Sequence, residues 1–227
     1  MRRQQRRDIS LDDYKALGSL YTSRLHEENE SEKRLRYYYH TNDFLPFIKL
    51  AVAMKKNILI SGGTGTGKTT LLNACLKVVP KNERIITVED TREVNVTQSN
   101  TAHLLFNEED ERITALNMFK ACLRLRPDRI LLSELRGAEV WPYLRAANSG
   151  HPGSLSTVHA DTPEGAFTQL VFMMQQAGST SSEEQIRTYI KSIINVVIQI
   201  KRDTSRTHFM VLSDVYFDGA VKQKEAA

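Results

Sequence analysis

Residues 62–70 read Gly-Gly-Thr-Gly-Thr-Gly-Lys-Thr-Thr, a glycine-rich stretch that ends in a lysine and two threonines. It fits the pattern G-x-x-x-x-G-K-[ST], the phosphate-binding P-loop. The apolar run at 57–61 predicts a buried strand before the loop, and the helix-forming residues at 71–76 predict a helix after it. A strand, a glycine-rich loop and a helix in this order predict a nucleotide-binding α/β domain.

The residue types of the loop explain how it would hold a nucleotide. Glycines let the backbone turn tightly enough for successive N–H groups to point at phosphate oxygens, and the N-terminus of the next helix favours an anion. We predict that Lys68 reaches the β- and γ-phosphates of ATP and that the Thr69 hydroxyl ligates Mg²⁺. The residues predicted to contact the nucleotide are Gly63, Thr64, Gly65, Thr66, Gly67, Lys68, Thr69 and Thr70.

Composition limits the classes of protein to consider. The chain has 227 residues, 41% of them hydrophobic and 26% charged, with a net charge of +4, which does not by itself require a nucleic-acid partner. Since no apolar run approaches the roughly 18 residues that span a bilayer, and Met1 leads into an arginine-rich stretch, we expect neither a transmembrane segment nor a signal peptide. Cys75 and Cys122 lie among apolar residues and are expected to be buried free thiols.

The rest of the chain alternates between strand and helix patterns. Buried strands are predicted at 84–89 and 129–134, a short strand at 103–106 and a further strand at 154–159, separated by helical patterns, and a hairpin is predicted at 195–201 and 209–217. This order predicts a three-layer α/β fold with a mainly parallel sheet and a C-terminal antiparallel hairpin. Residues 1–42 form a polar lead-in, in which 26–33 lack apolar periodicity and are predicted to be a linker.

Acidic residues and histidines stand at the predicted strand ends, where ligands bind in open parallel sheets. Glu89 closes the second strand, and it could hold an attacking water or merely cap the strand exit. Glu134 closes the third strand, where it could act on Mg²⁺ or on the nucleophile, or be an ordinary surface charge. His151 and His159 bracket the fourth strand, and a histidine there could report on the γ-phosphate. A zinc site is a poor alternative because no cysteine or acid has matching spacing.

Four sequence blocks together carry a family resemblance. They are GGTGTGKTT at 62–70, IITVEDTREV at 85–94, CLRLRPDRILLSELRG at 122–137 and SGHPGSLSTVHA at 149–160. In this order they resemble the Walker A, Asp box, Walker B and His box of the traffic ATPases of type IV secretion systems, which are RecA-like hexameric motors. The resemblance covers about residues 43–217.

The resemblance implies a role for each matching residue. Lys68 and Thr69 match the phosphate and magnesium positions, and Glu134 matches the Walker B glutamate, a second magnesium contact. Glu89 matches the acid that activates water, and His159 matches the γ-phosphate sensor. Catalytic roles are therefore implied for Lys68, Glu89, Glu134 and His159. Arginines that match the family's blocks or the basic end of its N-terminal domain are Arg2, Arg3, Arg124 and Arg136.

The resemblance also implies a function for the chain. It implies an ATPase motor that hydrolyses ATP with Mg²⁺ to drive substrate export or pilus assembly in type IV secretion or conjugation. The implied location is cytoplasmic, peripheral at the inner membrane, and the implied partners are five further copies in a full-length hexamer, inner-membrane secretion components, and a secreted protein or nucleoprotein. On this basis 1–42 would be a linker and remnant of an N-terminal domain that is mostly missing, and 43–227 would be the motor domain.

Two other functions use the same loop. A RecA-like helicase would need basic loops facing a channel, but residues 107–112 are largely acidic. A small-molecule kinase would need an arginine-rich lid, and residues 179–184 contain no arginine. The helicase is therefore the leading alternative to the secretion motor.

Overall fold

A computed structural model of the chain describes residues 10–16, 29–107, 109–203, 205 and 210–223. Their strands form one seven-stranded sheet of order β3-β2-β4-β5-β1-β6-β7. Neighbouring strands are parallel from β3 to β6, and only β7 runs antiparallel, against β6. This confirms the predicted mainly parallel sheet and its C-terminal hairpin. The strands are β1 Ile58–Ser61, β2 Ile85–Glu89, β3 Thr101–Leu105, β4 Arg129–Leu135, β5 Leu155–Val158, β6 Val196–Lys201 and β7 Val211–Phe217.

Helices cover both faces of the sheet. Successive side chains of its strands point to opposite faces, and both faces are apolar. Ile58 and Ile60 of β1 belong to the core cluster that contains residues of α2, α3 and α4, whereas Leu59 belongs to the cluster beneath α5 to α8. The predicted three layers are thereby confirmed. The helices are α1 Leu11–Ala16, α2 Glu30–His40, α3 Phe44–Ala53, α4 Lys68–Leu76, α5 Ala115–Arg124, α6 Val140–Asn148, α7 Pro163–Gln176 and α8 Glu183–Ile193, with a 3-10 helix at Asp218–Gln223.

The prediction that residues 26–33 form a linker is wrong for residues 30–33, and residues 26–28 lie outside the described residues. The helix α2 begins at Glu30, and the Asn29 side chain caps it by accepting a hydrogen bond from the Ser31 amide at 3.0 Å. The first turn is polar because it faces solvent, whereas Leu35 in the next turn is fully buried in the core. The division of the chain at residue 42 stays a prediction.

The prediction that both cysteines are buried free thiols is confirmed for Cys75 and Cys122. Burial raises the pKa of each thiol to about 12, so both remain protonated at neutral pH. Among the described residues, no helix is long and apolar enough to cross a bilayer.

Candidate nucleotide-binding site

A cleft of about 390 Å³ opens at the carboxyl edge of the sheet, where β1, β2, β4 and β5 end. The P-loop forms one wall, and the other is formed by residues that follow β2 and by residues at and just beyond the ends of β4 and β5. Parallel strands bring these segments together although they are far apart in the sequence. The lining residues are Thr64, Gly65, Thr66, Gly67, Lys68, Thr69, Thr70, Asp90, Glu93, Ser133, Glu134, Arg136, Thr157 and His159.

Glycine is required at particular points of the loop. Gly65 and Gly67 have φ angles of 70° and 90°, which side chains rarely tolerate. A Cβ atom at Gly62 would lie 2.7 Å from the carbonyl oxygen of Ile200, so only glycine lets β6 approach the loop this closely. The helix α4 begins at Lys68 without a side-chain cap, which leaves its first amides available to an anion.

Lys68 lies at the centre of the cleft and is 8% exposed. Its Nζ atom donates to the carbonyl oxygens of Gly62 at 3.0 Å and Gly63 at 3.1 Å, and lies 3.2 Å and 3.3 Å from the ring nitrogens of His159. Burial lowers the Lys68 pKa, an effect that Glu134 opposes and Arg136 reinforces. The ammonium therefore lies in a site that disfavours its charge, and an anion would relieve that cost.

Glu134 is the centre of a charged network across the cleft from the P-loop. One of its oxygens lies 2.5 Å from His159 Nε2, and the other accepts from Arg136 Nε at 2.7 Å. Arg136 also donates from Nη1 to Asp90 at 2.8 Å, and its hydrogen bond with Glu134 raises the Arg136 pKa. The structure thus brings together Lys68, Glu134 and His159, three of the predicted catalytic residues.

Glu89 has a different environment from Glu134. It is fully buried, and its carboxylate accepts from the amides of Glu93 at 3.0 Å and Val94 at 2.8 Å and from the Thr87 hydroxyl at 2.7 Å. It is not among the residues that line the cleft. This geometry does not support the prediction that Glu89 acts on an attacking water.

Glu93 is a cleft carboxylate that the sequence reasoning missed. It lies four residues after Glu89 in an exposed loop, and the Thr69 hydroxyl donates to its Oε2 atom at 3.4 Å. The signal was present in the block at 85–94, which holds Glu93 beside Glu89 and Asp90. The alternation of side chains between the two faces of β2 could not place Glu93, because the strand ends at Glu89.

The other predicted residues fall into two groups. Of the eight predicted nucleotide contacts, Gly63 alone does not line the cleft, and it borders the adjoining cavity beside Asp161. His151 hydrogen-bonds with the carbonyl of Pro127 at 2.9 Å and Arg124 ends α5, and neither lines the cleft. Arg2 and Arg3 lie outside the described residues.

The donor set fits a magnesium ion that arrives with phosphates. Among the described residues, no group of three or more His, Cys, Asp or Glu side chains is placed to hold a metal alone. Mg²⁺ usually takes one or two protein oxygens together with substrate phosphates and water. The Thr69 hydroxyl, with carboxylates of Glu93 and Glu134 in the same cleft, supplies oxygens of that kind.

Comparisons with known proteins identify the family to which the chain is related. Residues 21–217 match the family described as Type II/IV secretion system protein. The type IV secretion protein VirB11 of Bartonella quintana is 39% identical over 203 residues, which are 87% of this chain and 56% of that protein. PtlH of Bordetella pertussis is 36% identical over 178 residues, which are 75% of this chain and 52% of that protein. The chain thus spans little more than half the length of these relatives.

Solved structures give the same relationship. The VirB11 ATPase of Brucella suis, determined with sulphate, superposes with a TM-score of 0.84 at 30% identity, over 93% of this chain and 66% of that one. The pilus retraction motor PilT, with bound ADP, has a TM-score of 0.58 at 22% identity over 75% of this chain and 51% of that one, which shows a shared fold. The match across residues 21–217, together with these relatives, shows that the chain belongs to the type II/IV secretion system protein family.

Proposed function

We propose that the chain is the motor domain of a type IV secretion ATPase and that it binds and hydrolyses ATP with Mg²⁺. The observation that carries this proposal is that Lys68, His159 and Glu134 meet at the cleft. Lys68 Nζ lies 3.2 Å from His159 Nε2, and this nitrogen lies 2.5 Å from the Glu134 carboxylate. The P-loop supports nucleotide binding, and the family relationship implies ATP hydrolysis.

Binding would exchange the partners of Lys68. In the structure its ammonium donates to the carbonyls of Gly62 and Gly63, which are weaker partners than a phosphate. The amides of residues 63–70 and the start of α4 would hold the phosphates. Thr69, assisted by Glu134, would hold Mg²⁺, which neutralises charge on the phosphates when bound.

Hydrolysis also requires a group that orients the attacking water. Glu134 and Glu93 are the carboxylates placed for this in the cleft, Glu134 beside His159 and Glu93 beside the Thr69 hydroxyl. We assign His159 to sensing the γ-phosphate because its ring lies between the Lys68 ammonium and Glu134. Arg136, which is 62% exposed in its side chain, is free to turn from Glu134 and Asp90 towards a phosphate.

The family relationship supports a wider function. ATP turnover would drive substrate export or pilus assembly by a hexamer at the cytoplasmic side of the inner membrane, together with other secretion components. The proteins named VirB11 and PtlH are type IV secretion components, which favours this reading over a helicase. The division into a lead-in at 1–42 and a motor domain at 43–227 is part of the same proposal.

Thermal unfolding with and without ATP and Mg²⁺ tests nucleotide binding. At about 100 times Kd the ligand should stabilise the parent protein by about 2.7 kcal/mol. Lys68→Ala should lose most of this gain and abolish phosphate release, because it removes the cation at the centre of the cleft. An unshifted midpoint in the parent would overturn the assignment. Turnover that rises strongly with single-stranded DNA would favour the helicase.

A further inference from the structure

A chain of hydrogen bonds runs from the edge of the sheet to the loop that follows β2. Thr87 of β2 and His103 of the edge strand β3 are register partners, so their side chains lie on one face. His103 Nδ1 lies 2.8 Å from the Thr87 hydroxyl oxygen, and that hydroxyl lies 2.7 Å from Glu89 Oε2. The other oxygen of Glu89 accepts from the amides of Glu93 and Val94.

The direction of these hydrogen bonds follows from the donors available. A carboxylate only accepts, so the single hydroxyl proton of Thr87 points at Glu89. Thr87 must then accept from His103, which places a proton on Nδ1 of that ring. Glu89 receives three donors and is fully buried, so its lone pairs are committed to holding its neighbours rather than to a ligand.

The loop held by Glu89 presents side chains to the cleft. Asp90 accepts from Arg136 at 2.8 Å, and Glu93 accepts from Thr69 at 3.4 Å. On its other side the loop is tied to α4, where Asn73 donates to the Glu93 carbonyl at 3.3 Å and accepts from the Asn95 amide at 2.8 Å. The loop is thus held between Glu89 and the helix that follows the P-loop.

We propose that Glu89 is a positioning residue for ATP hydrolysis. With Thr87 and His103 it forms a unit, here called the Glu89 relay, that holds loop 90–94 so that Glu93 faces Thr69 and the reacting phosphate. Glu93 is the carboxylate that acts on the water, and Glu89 acts only through it. This inference rests on the proposed function and adds to it separate roles for Glu89 and Glu93.

Glutamine at position 89 separates this proposal from direct catalysis. The amide oxygen of Glu89→Gln can still accept from the amides of Glu93 and Val94. Its NH₂ group can donate to Thr87, whose proton then turns to a His103 ring in the other tautomer. A positioning residue therefore tolerates glutamine, whereas a general base loses its function because an amide cannot take a proton.

The experiment measures kcat, KM for ATP and ATP affinity for Glu89→Gln and Glu93→Gln on the purified protein. We expect Glu89→Gln to keep kcat within about threefold of the parent, and Glu93→Gln to lose about 10²-fold or more while still binding ATP. A Glu89→Gln variant that binds ATP normally but loses as much turnover as Glu93→Gln would overturn the proposal. Full activity of Glu93→Gln would overturn it equally.

Matched substitutions at Thr87 test the relay without touching a carboxylate. Thr87→Val removes the hydroxyl at nearly constant shape, and it should lower kcat about tenfold with KM for ATP unchanged, because the loop is misplaced. Thr87→Ser restores the hydroxyl and should restore kcat. Equal kcat in the valine and serine variants would count against the relay. A parent that binds no ATP would instead refute the proposed function, so the two failures are distinguishable.

Discussion

The strand β4 has an arginine at each end, and the two are held in opposite ways. Arg129, its first residue, is fully buried and donates to Glu83 at 2.6 Å and to the Val52 carbonyl at 2.8 Å. Arg136, just after the last residue, is 62% exposed in its side chain and donates to Glu134 and Asp90 at the cleft. One arginine has only fixed partners, and the other has partners that themselves line the cleft.

The charged groups at the two edges of the sheet therefore have different roles. A buried pair cannot be separated without leaving an uncompensated charge, so the amino edge contributes to stability and is not free to rearrange. At the carboxyl edge the Glu134 side chain is only 12% exposed, but it also contacts His159, and Arg136 is 62% exposed, so His159 and water can replace the contact between the two. The carboxyl edge can therefore exchange its ion pairs for a phosphate without unfolding. Substitutions at the two ends should separate stability from activity.

The largest effect on stability is expected for Arg129→Met. The substitution leaves the carboxylate of Glu83, with an 11% exposed side chain, without its main partner, so the free energy of unfolding should fall by about 3–5 kcal/mol. Arg136→Met is the matched control and should cost less, about 1 kcal/mol, because the Arg136 side chain is 62% exposed and Glu134 keeps its contact with His159. Urea unfolding followed by circular dichroism measures both. Equal losses of unfolding free energy in the two variants would show that the amino and carboxyl edges of the sheet do not differ in this way.

Glu134→Gln should show the reverse pattern, with activity lost and stability kept. ATP should still bind, while turnover falls by about 10²-fold or more because the neutral amide lacks the negative charge that would act on Mg²⁺. The free energy of unfolding should move by about 1 kcal/mol or less, since the partner side chains of His159 and Arg136 are 47% and 62% exposed. Phosphate release and nucleotide titration measure the two effects. Parental turnover would show that Glu134 is not needed.

The smallest effect is a pH dependence at Lys68. Its pKa is lowered, mainly by burial, so the ammonium loses its proton at a lower pH than an ordinary lysine and ATP affinity should fall there. Because the unfolded chain holds this proton more firmly, the Lys68 contribution to the free energy of unfolding rises with pH between the lowered pKa and the ordinary lysine pKa of 10.5.

Titration of ATP affinity from neutral pH to about pH 10 checks this prediction, with Lys68→Arg as the control that stays charged throughout. The parent should lose affinity over this range relative to the arginine variant. Parallel profiles for the two proteins would place the titration elsewhere in the cleft.

Much of the fold could be predicted because its signals are local. The strands β1, β2 and β4 are continuous apolar runs, since helices cover both of their faces, and the P-loop marks where the first of them ends. Lys68, Glu134 and His159 could be placed in one cleft from strand ends alone, because parallel strands end at one edge. The helix α2 was missed because its first turn is polar.

The division of roles between Glu89 and Glu93 could not be predicted. Ile85, Thr87 and Glu89 lie on one face of β2 because every second side chain of a strand points the same way. The loop after β2 then folds back, so that its amides donate to the Glu89 carboxylate. Whether a strand-end acid faces the cleft or its own loop depends on that fold-back, which leaves no local signature in the sequence. The family resemblance matched Glu89 by its position in a sequence block and could not show which way its side chain points.

The aromatic contacts of α2 have a mechanical consequence. Tyr39 packs against Phe47 and Phe217, and its hydroxyl donates to the Val215 carbonyl at 3.1 Å. Tension on the chain before Glu30 is therefore carried through α2 to β7. From there the hydrogen-bonded ladders from β7 to β6 and from β6 to β1 deliver it to the strand that carries the P-loop. A force on the chain before α2 would thus reach the strand that precedes the phosphate-binding loop through these contacts.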